Sequence, residues 1–133
     1  MNKKVKKEYI ALIVVAFMLG VGTAIYNYKN TISSYIKNGY FSEGLATFYK
    51  NEKFGYIDES GNIVIEPQYK KAWYFSEGLA WVEIEGKYGY IDKSGKVVID
   101  AQYDEAKNFK DGSAKVQVNG QWKTIDKKGN IKG

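Results

Sequence analysis

Apolar and polar residues alternate with period two in three stretches of the chain, residues 45–49, 79–84 and 113–118. The inward set is Ala46 and Phe48, then Ala80, Val82 and Ile84, then Ala114, Val116 and Val118. Thr47, Glu83, Lys115 and Gln117 fall on the opposite face. This alternation predicts half-buried β-strands. A tight turn follows each strand. Asn119-Gly120 suits a two-residue type I′ hairpin, which needs positive φ at both central residues. Glu85-Gly86 and Asn51-Glu52 occupy the same place. Second strands are expected over 54–58, 88–92 and 122–126. Gly55 and Gly89 leave one face of their strand bare, so an aromatic ring or another backbone can lie close; Lys123 breaks this pattern. Asp58, Asp92 and Asp126 open the next turns and Gly61, Gly95 and Gly129 close them. Third strands over 63–65 and 97–99 are apolar throughout, which predicts burial on both faces.

These elements recur because the chain repeats. Phe41-Ser42-Glu43-Gly44-Leu45-Ala46 returns as Phe75-Ser76-Glu77-Gly78-Leu79-Ala80 and, altered, as Phe109-Lys110-Asp111-Gly112-Ser113-Ala114. The shift of 34 residues also relates Tyr35, Tyr69 and Tyr103. A period of this size marks a tandem array whose units bury their apolar faces against one another. The predicted fold is an all-β tandem repeat, an antiparallel β-hairpin array of about three 34-residue units over residues 35–133. Ile57, Ile91 and Ile125 recur on one face of the second strand and are expected in the core. A linear array predicts a smaller loss for Ile125→Ala than for Ile91→Ala, since the terminal unit has one neighbour. The third unit is more polar; a solenoid cap and a decayed copy both fit it.

Residues 9–26 carry no charge over 18 positions. At about 1.5 Å per residue they span a bilayer core of roughly 30 Å, so one N-terminal transmembrane helix is expected. Lys3, Lys4, Lys6 and Lys7 precede it, whereas Lys29 and Lys37 alone follow closely. That bias places a basic flank, residues 1–8, in the cytoplasm and the repeats outside the cell membrane, beyond a polar connector at 27–34. Cleavage as a signal peptide near Gly22-Thr23-Ala24 is the alternative, and it too leads to an extracytoplasmic destination.

Net charge is +5, but the first eight residues supply +3 of it. The repeats are close to neutral and contain no Arg, which argues against a nucleic-acid partner. Cys and His are absent, removing thiol chemistry, the commonest general base and the commonest metal ligand. No catalytic residue, metal or cofactor is expected. The evenly spaced Asp58, Asp92 and Asp126 could suggest calcium sites or glycosidase carboxylates. Turn chemistry explains them better, because alternating ligands are missing around Ser60-Gly61 and Ser94-Gly95. Aromatics present in a single unit need another reason. Trp81 replaces Thr47 and Lys115, and Trp73 replaces Gly39 and Lys107. Trp73, Tyr74 and Trp81, with Tyr49 on the preceding strand, are the candidate ligand-binding residues, since such rings present rigid area with a polar tip. Packing of Trp81 over a neighbouring hairpin is the competing explanation.

The motif F-S-E-G-L-A … G-Y-I-D-x-S-G-x-V-V-I … Q-Y resembles the WG, or KWG, repeat family of bacterial proteins over about residues 35–131. The eponymous Trp-Gly stands here as Phe54-Gly55, Tyr88-Gly89 and Trp122-Lys123. The resemblance implies an all-β scaffold for binding or assembly and no catalytic residue. The functional expectation is a membrane-anchored extracytoplasmic binding module, whose partner is a cell-wall glycan or another envelope protein. Self-association through open strand edges, or a secreted cell-wall-binding protein after cleavage, are the alternatives.

Overall fold

The computed structural model describes residues 40–133. The basic flank, the expected transmembrane helix, the connector and the first residues of the array lie outside the described residues. Among those described, no helix is long and apolar enough to cross a membrane.

The described chain is all β, in three antiparallel three-stranded sheets. Strands β1 (Leu45–Lys50), β2 (Lys53–Asp58) and β3 (Ile63–Tyr69) form the first, in that order. Strands β4 (Ala80–Ile84), β5 (Lys87–Ile91) and β6 (Val97–Tyr103) form the second. In the third, β7 (Glu105–Ala106) pairs with β8 (Ser113–Val118), which pairs with β9 (Gln121–Asp126). The expected hairpins are present. Asn51, Glu52, Glu85 and Asn119 all take positive φ at the turn positions, as type I′ geometry requires.

A second set of tight turns was not read from the sequence. Glu43, Glu77 and Asp111 have φ near +53° and each precedes a positive-φ glycine. Ser42 and Leu45 exchange backbone hydrogen bonds at 2.9 and 3.1 Å across the first of these turns. The Ser-Glu-Gly-Leu segment is therefore itself a hairpin turn.

Burial corrects the third-strand expectation. Ile65 and Ile99 are buried, but Ile63, Val64, Val97 and Val98 are half-exposed. The strand buried on both faces is the second, because it is the middle strand and the sheets stack face to face. Tyr56 and Ile57 point to opposite faces of β2, and Tyr90 and Ile91 to opposite faces of β5; all four are buried. One core joins Leu45, Tyr56, Ile65 and Tyr69 of the first unit to Ala80, Val82 and Ile91 of the second. The equivalent core joins Leu79, Tyr90, Ile99 and Tyr103 to Ala114, Val116 and Ile125. The hydrophobic layers thus lie between units, not inside them.

The third strands are also longer than the apolar run. Phe54 pairs with Tyr69 and Tyr56 with Ile65, so β3 carries extra residues opposite Gly55. A Cβ on Gly55 would lie 2.6 Å from Pro67 N, and one on Gly89 2.7 Å from Ala101 N. These glycines admit another backbone. Past β3 the chain crosses to the next sheet, where Glu83 N–H donates to Lys71 O at 2.9 Å and Trp73 N–H to Trp81 O at 3.2 Å. Each unit thereby supplies an edge segment to its successor; β7 is the same segment one repeat later.

Polar bonds fasten the units at fixed offsets. Ser42 Oγ donates to Phe75 O and Ser76 Oγ to Phe109 O, both at 2.6 Å. Gly78 N–H donates to the Glu43 carboxylate and Gly112 N–H to that of Glu77, both at 3.0 Å. Lys93 and Lys127 complete each junction with ion pairs of 3.5 Å to Glu43 and 3.3 Å to Glu77. The conserved spelling of the repeated motif within this chain is thus a junction, with Lys110 and Asp111 standing at the Ser-Glu position of the third unit.

Candidate aromatic groove between the second and third units

Trp73 and Tyr74 lie in the crossing segment between β3 and β4, and Trp81 lies in β4. The crossing segment is pinned at its base, since Tyr56 OH donates to Trp73 O at 2.7 Å. Burial pushes the Tyr56 hydroxyl pKa far up, so this donor keeps its proton at ordinary pH. The paired backbones of Trp73 and Trp81 bring their side chains alongside one another. Their rings stack at 5.5 Å and 7°. Tyr74 adjoins Trp73 at 5.6 Å, and Tyr88 of β5 meets Trp81 edge-on at 5.4 Å. The result is a continuous row, Tyr74, Trp73, Trp81 and Tyr88. Trp73 and Tyr74 are 41% and 45% exposed, whereas Trp81 is half-buried against the core shared with the third unit.

Opposite the row stands the next crossing segment, Glu105 to Asn108. Together they line an open groove of about 420 Å³. Asn108 Oδ1 is buried there without a hydrogen-bond partner among the described residues. At the far end Lys71 Nζ donates to Tyr88 OH at 3.0 Å and lies 3.2 Å from Glu83 Oε2. The bond to Tyr88 and the pairing with Glu83 both raise the Lys71 pKa. Glu83 was expected to face outward; the structure buries it to 8% exposure, because that face of β4 is turned toward the third unit.

Three of the four sequence-predicted site residues are therefore brought together. Tyr49 is not among the residues that line the groove. It packs on Phe54 of its own hairpin at 4.7 Å. Trp81 both packs against the neighbouring unit and forms part of the groove wall. Sequence reasoning missed Tyr88, because its column is aromatic in every unit (Phe54, Tyr88, Trp122) and reads as structural. It missed Asn108 because only unit-specific aromatics were sought. Asn108 interrupts the column Tyr40, Tyr74 and is as unit-specific as the tryptophans.

The carboxylates follow turn chemistry. Asp58 Oδ1 accepts from Ser60 N–H at 2.9 Å and Asn62 N–H at 2.8 Å. Among the described residues no group of three His, Cys, Asp or Glu could hold a metal ion.

A chain of stacked three-stranded sheets joined by crossing segments is a tandem-repeat β protein. The family model described as "WG containing repeat" matches twice in tandem, at residues 54–88 and 88–122, and the chain belongs to that family. No match was found among curated proteins or among solved structures.

Proposed function

We propose that this protein is a membrane-anchored, extracytoplasmic binding module without catalytic activity, using the groove between its second and third units. The supporting observation is the row Tyr74, Trp73, Trp81 and Tyr88, which keeps two half-exposed rings at the mouth of a groove. Large rigid aromatics with polar tips make strong contacts at little entropic cost. Anchoring rests on the uncharged segment 9–26 and its lysine flank. Full-length protein carrying Trp73→Ala should lose retention on isolated cell envelope while its unfolding midpoint stays nearly unchanged. Trp81→Ala should lower both, because its ring is also packed against the third unit. Unchanged retention with Trp73→Ala would remove the groove as the binding surface. Protease applied to intact cells should digest the repeats and leave a small membrane fragment; a mature N-terminus near Ile25 would establish cleavage instead.

Assembly through strand edges is the second reading. It draws on β3 and β6, which end their sheets and carry the half-exposed Ile63, Val64, Val97 and Val98. Growth of particle size with protein concentration would favour it.

A further inference from the structure

We infer that the groove binds a quaternary ammonium group, a deepening that rests on the binding-module reading above. Charge complementarity selects this occupant. The aromatic row lines one wall, and the face of each ring carries the negative side of its quadrupole. Trp73 and Tyr74, the two half-exposed rings, are inclined by 39° rather than stacked, so neither loses its face to the other. The opposite wall supplies Glu105. Its column holds Lys37 and Lys71 in the preceding repeats, so a carboxylate here is as unit-specific as the tryptophans. Lys71 is matched by Glu83 at 3.2 Å. Glu105 stands opposite the neutral Gln117 instead, and among the described residues no cation pairs with it. Its exposed carboxylate is therefore uncompensated. Lys107 is the one cation among the lining residues, and its Nζ lies 5.5 Å from the centre of the Trp122 ring. Lys107 and Trp122 are the repeat equivalents of Trp73 and Tyr88, so that ammonium is engaged in the third unit's own row. Ring faces on one side and a free carboxylate on the other attract a cation and disfavour phosphate or carboxylate ligands. A primary ammonium is strongly hydrated and needs several hydrogen-bond acceptors. A methylated one spreads its charge over weakly hydrated C–H surface, which rings can cover. With several rings and a single free carboxylate, the groove suits the methylated form.

The test uses the full-length protein in dodecyl maltoside micelles, whose headgroup carries no ammonium, at constant ionic strength. Choline is compared with the neutral alcohol in which a tert-butyl group replaces trimethylammonium, and with N-acetyl-lysine methylamide as a primary ammonium. Binding is followed by titrating the methyl proton signals of the probes and by tryptophan fluorescence. Choline should bind at least about tenfold more tightly than the neutral alcohol, the margin expected when a cation meets ring faces and a carboxylate together. It should also bind more tightly than the lysine derivative. Glu105→Gln should cut the margin over the alcohol to within about threefold. Glu105→Lys installs the residue that this column carries in the other repeats, so it should keep the unfolding midpoint while removing the preference for choline. Trp73→Ala should weaken choline binding at least about tenfold with the midpoint nearly unchanged. Equal affinity for choline and the alcohol, binding of neither, tighter binding of the lysine derivative, or a choline preference that survives Glu105→Lys would overturn the inference. If choline fails to bind while envelope retention still depends on Trp73, the binding-module reading stands and only the ammonium assignment falls.

Discussion

At position 89 the absence of a side chain decides whether β6 can lie against β5. A Cβ there would stand 2.6 Å from Ile99 O, 2.7 Å from Ala101 N and 2.9 Å from Ala101 Cα, all backbone atoms that no rotamer change can move. Gly89→Ala should therefore cost about 1–3 kcal/mol, the usual range for an overpacked site, read by urea denaturation. A cost below about 0.5 kcal/mol would mean that the bulged pairing is loose. In the third unit Lys123 occupies the glycine position. The same residue scale governs the groove, where Tyr74 and its repeat equivalent Asn108 exchange a ring for an amide on opposite walls.

At the scale of the elements, Ile91 and Ile125 occupy equivalent places in successive cores and both are 0% exposed. Each faces backward, toward the preceding sheet, so the last unit is no worse provided than the middle one. This replaces the expectation that Ile125 is the cheaper residue to lose. Ile91→Ala and Ile125→Ala should each cost about 2–5 kcal/mol and differ by less than about 1 kcal/mol. A much smaller loss at Ile125 would show that the second core is the weaker. Strand existence, hairpin type and the close approach at Gly55 and Gly89 were legible in the chain because they depend on neighbours within one unit. Two things were not. Period-two alternation separates two faces but cannot say that both are covered, so Glu83 read as outward when its face meets the third unit. The apolar third strand likewise read as buried on both faces, because an apolar run does not reveal that Ile63, Val64, Val97 and Val98 stay half-exposed on a strand at the edge of its sheet. The groove was legible through Trp73 and Trp81, whose departure from the repeat is visible, and through Tyr74 beside Trp73, while Tyr49 departs for a local reason, its contact with Phe54.

At the scale of the whole molecule, carboxylates hold both the turns and the junctions, and this gives stability a defined pH dependence. Hydrogen bonds from the Asn62 side chain and backbone lower the Asp58 pKa. The Ser94 hydroxyl, at 2.6 Å, and the Lys96 N–H do the same for Asp92, and Asn130 does so for Asp126. Lys87 lowers Asp104 through a 2.6 Å ion pair. Partial desolvation opposes ionisation of Glu77, but Gly112 N–H and Lys127 outweigh it and its pKa is lowered too. Each folded pKa lies below its unfolded value. The stability these groups contribute is therefore complete above the ordinary carboxylate range of about 3.9–4.3 and is lost as pH falls through the lower folded values. The unfolding midpoint, followed by circular dichroism at 0.1 M salt or so, should be flat between about pH 7 and 5 and should fall steadily below about pH 4. Combined Asp58→Asn, Asp92→Asn and Asp126→Asn substitutions keep a neutral acceptor at each turn but remove three protons from the acid transition. They should leave a shallower acid slope without unfolding the array at neutral pH. A midpoint that rises on acidification, or a slope untouched by the triple substitution, would mean that these carboxylates are not tied to the folded turns as their hydrogen bonds indicate.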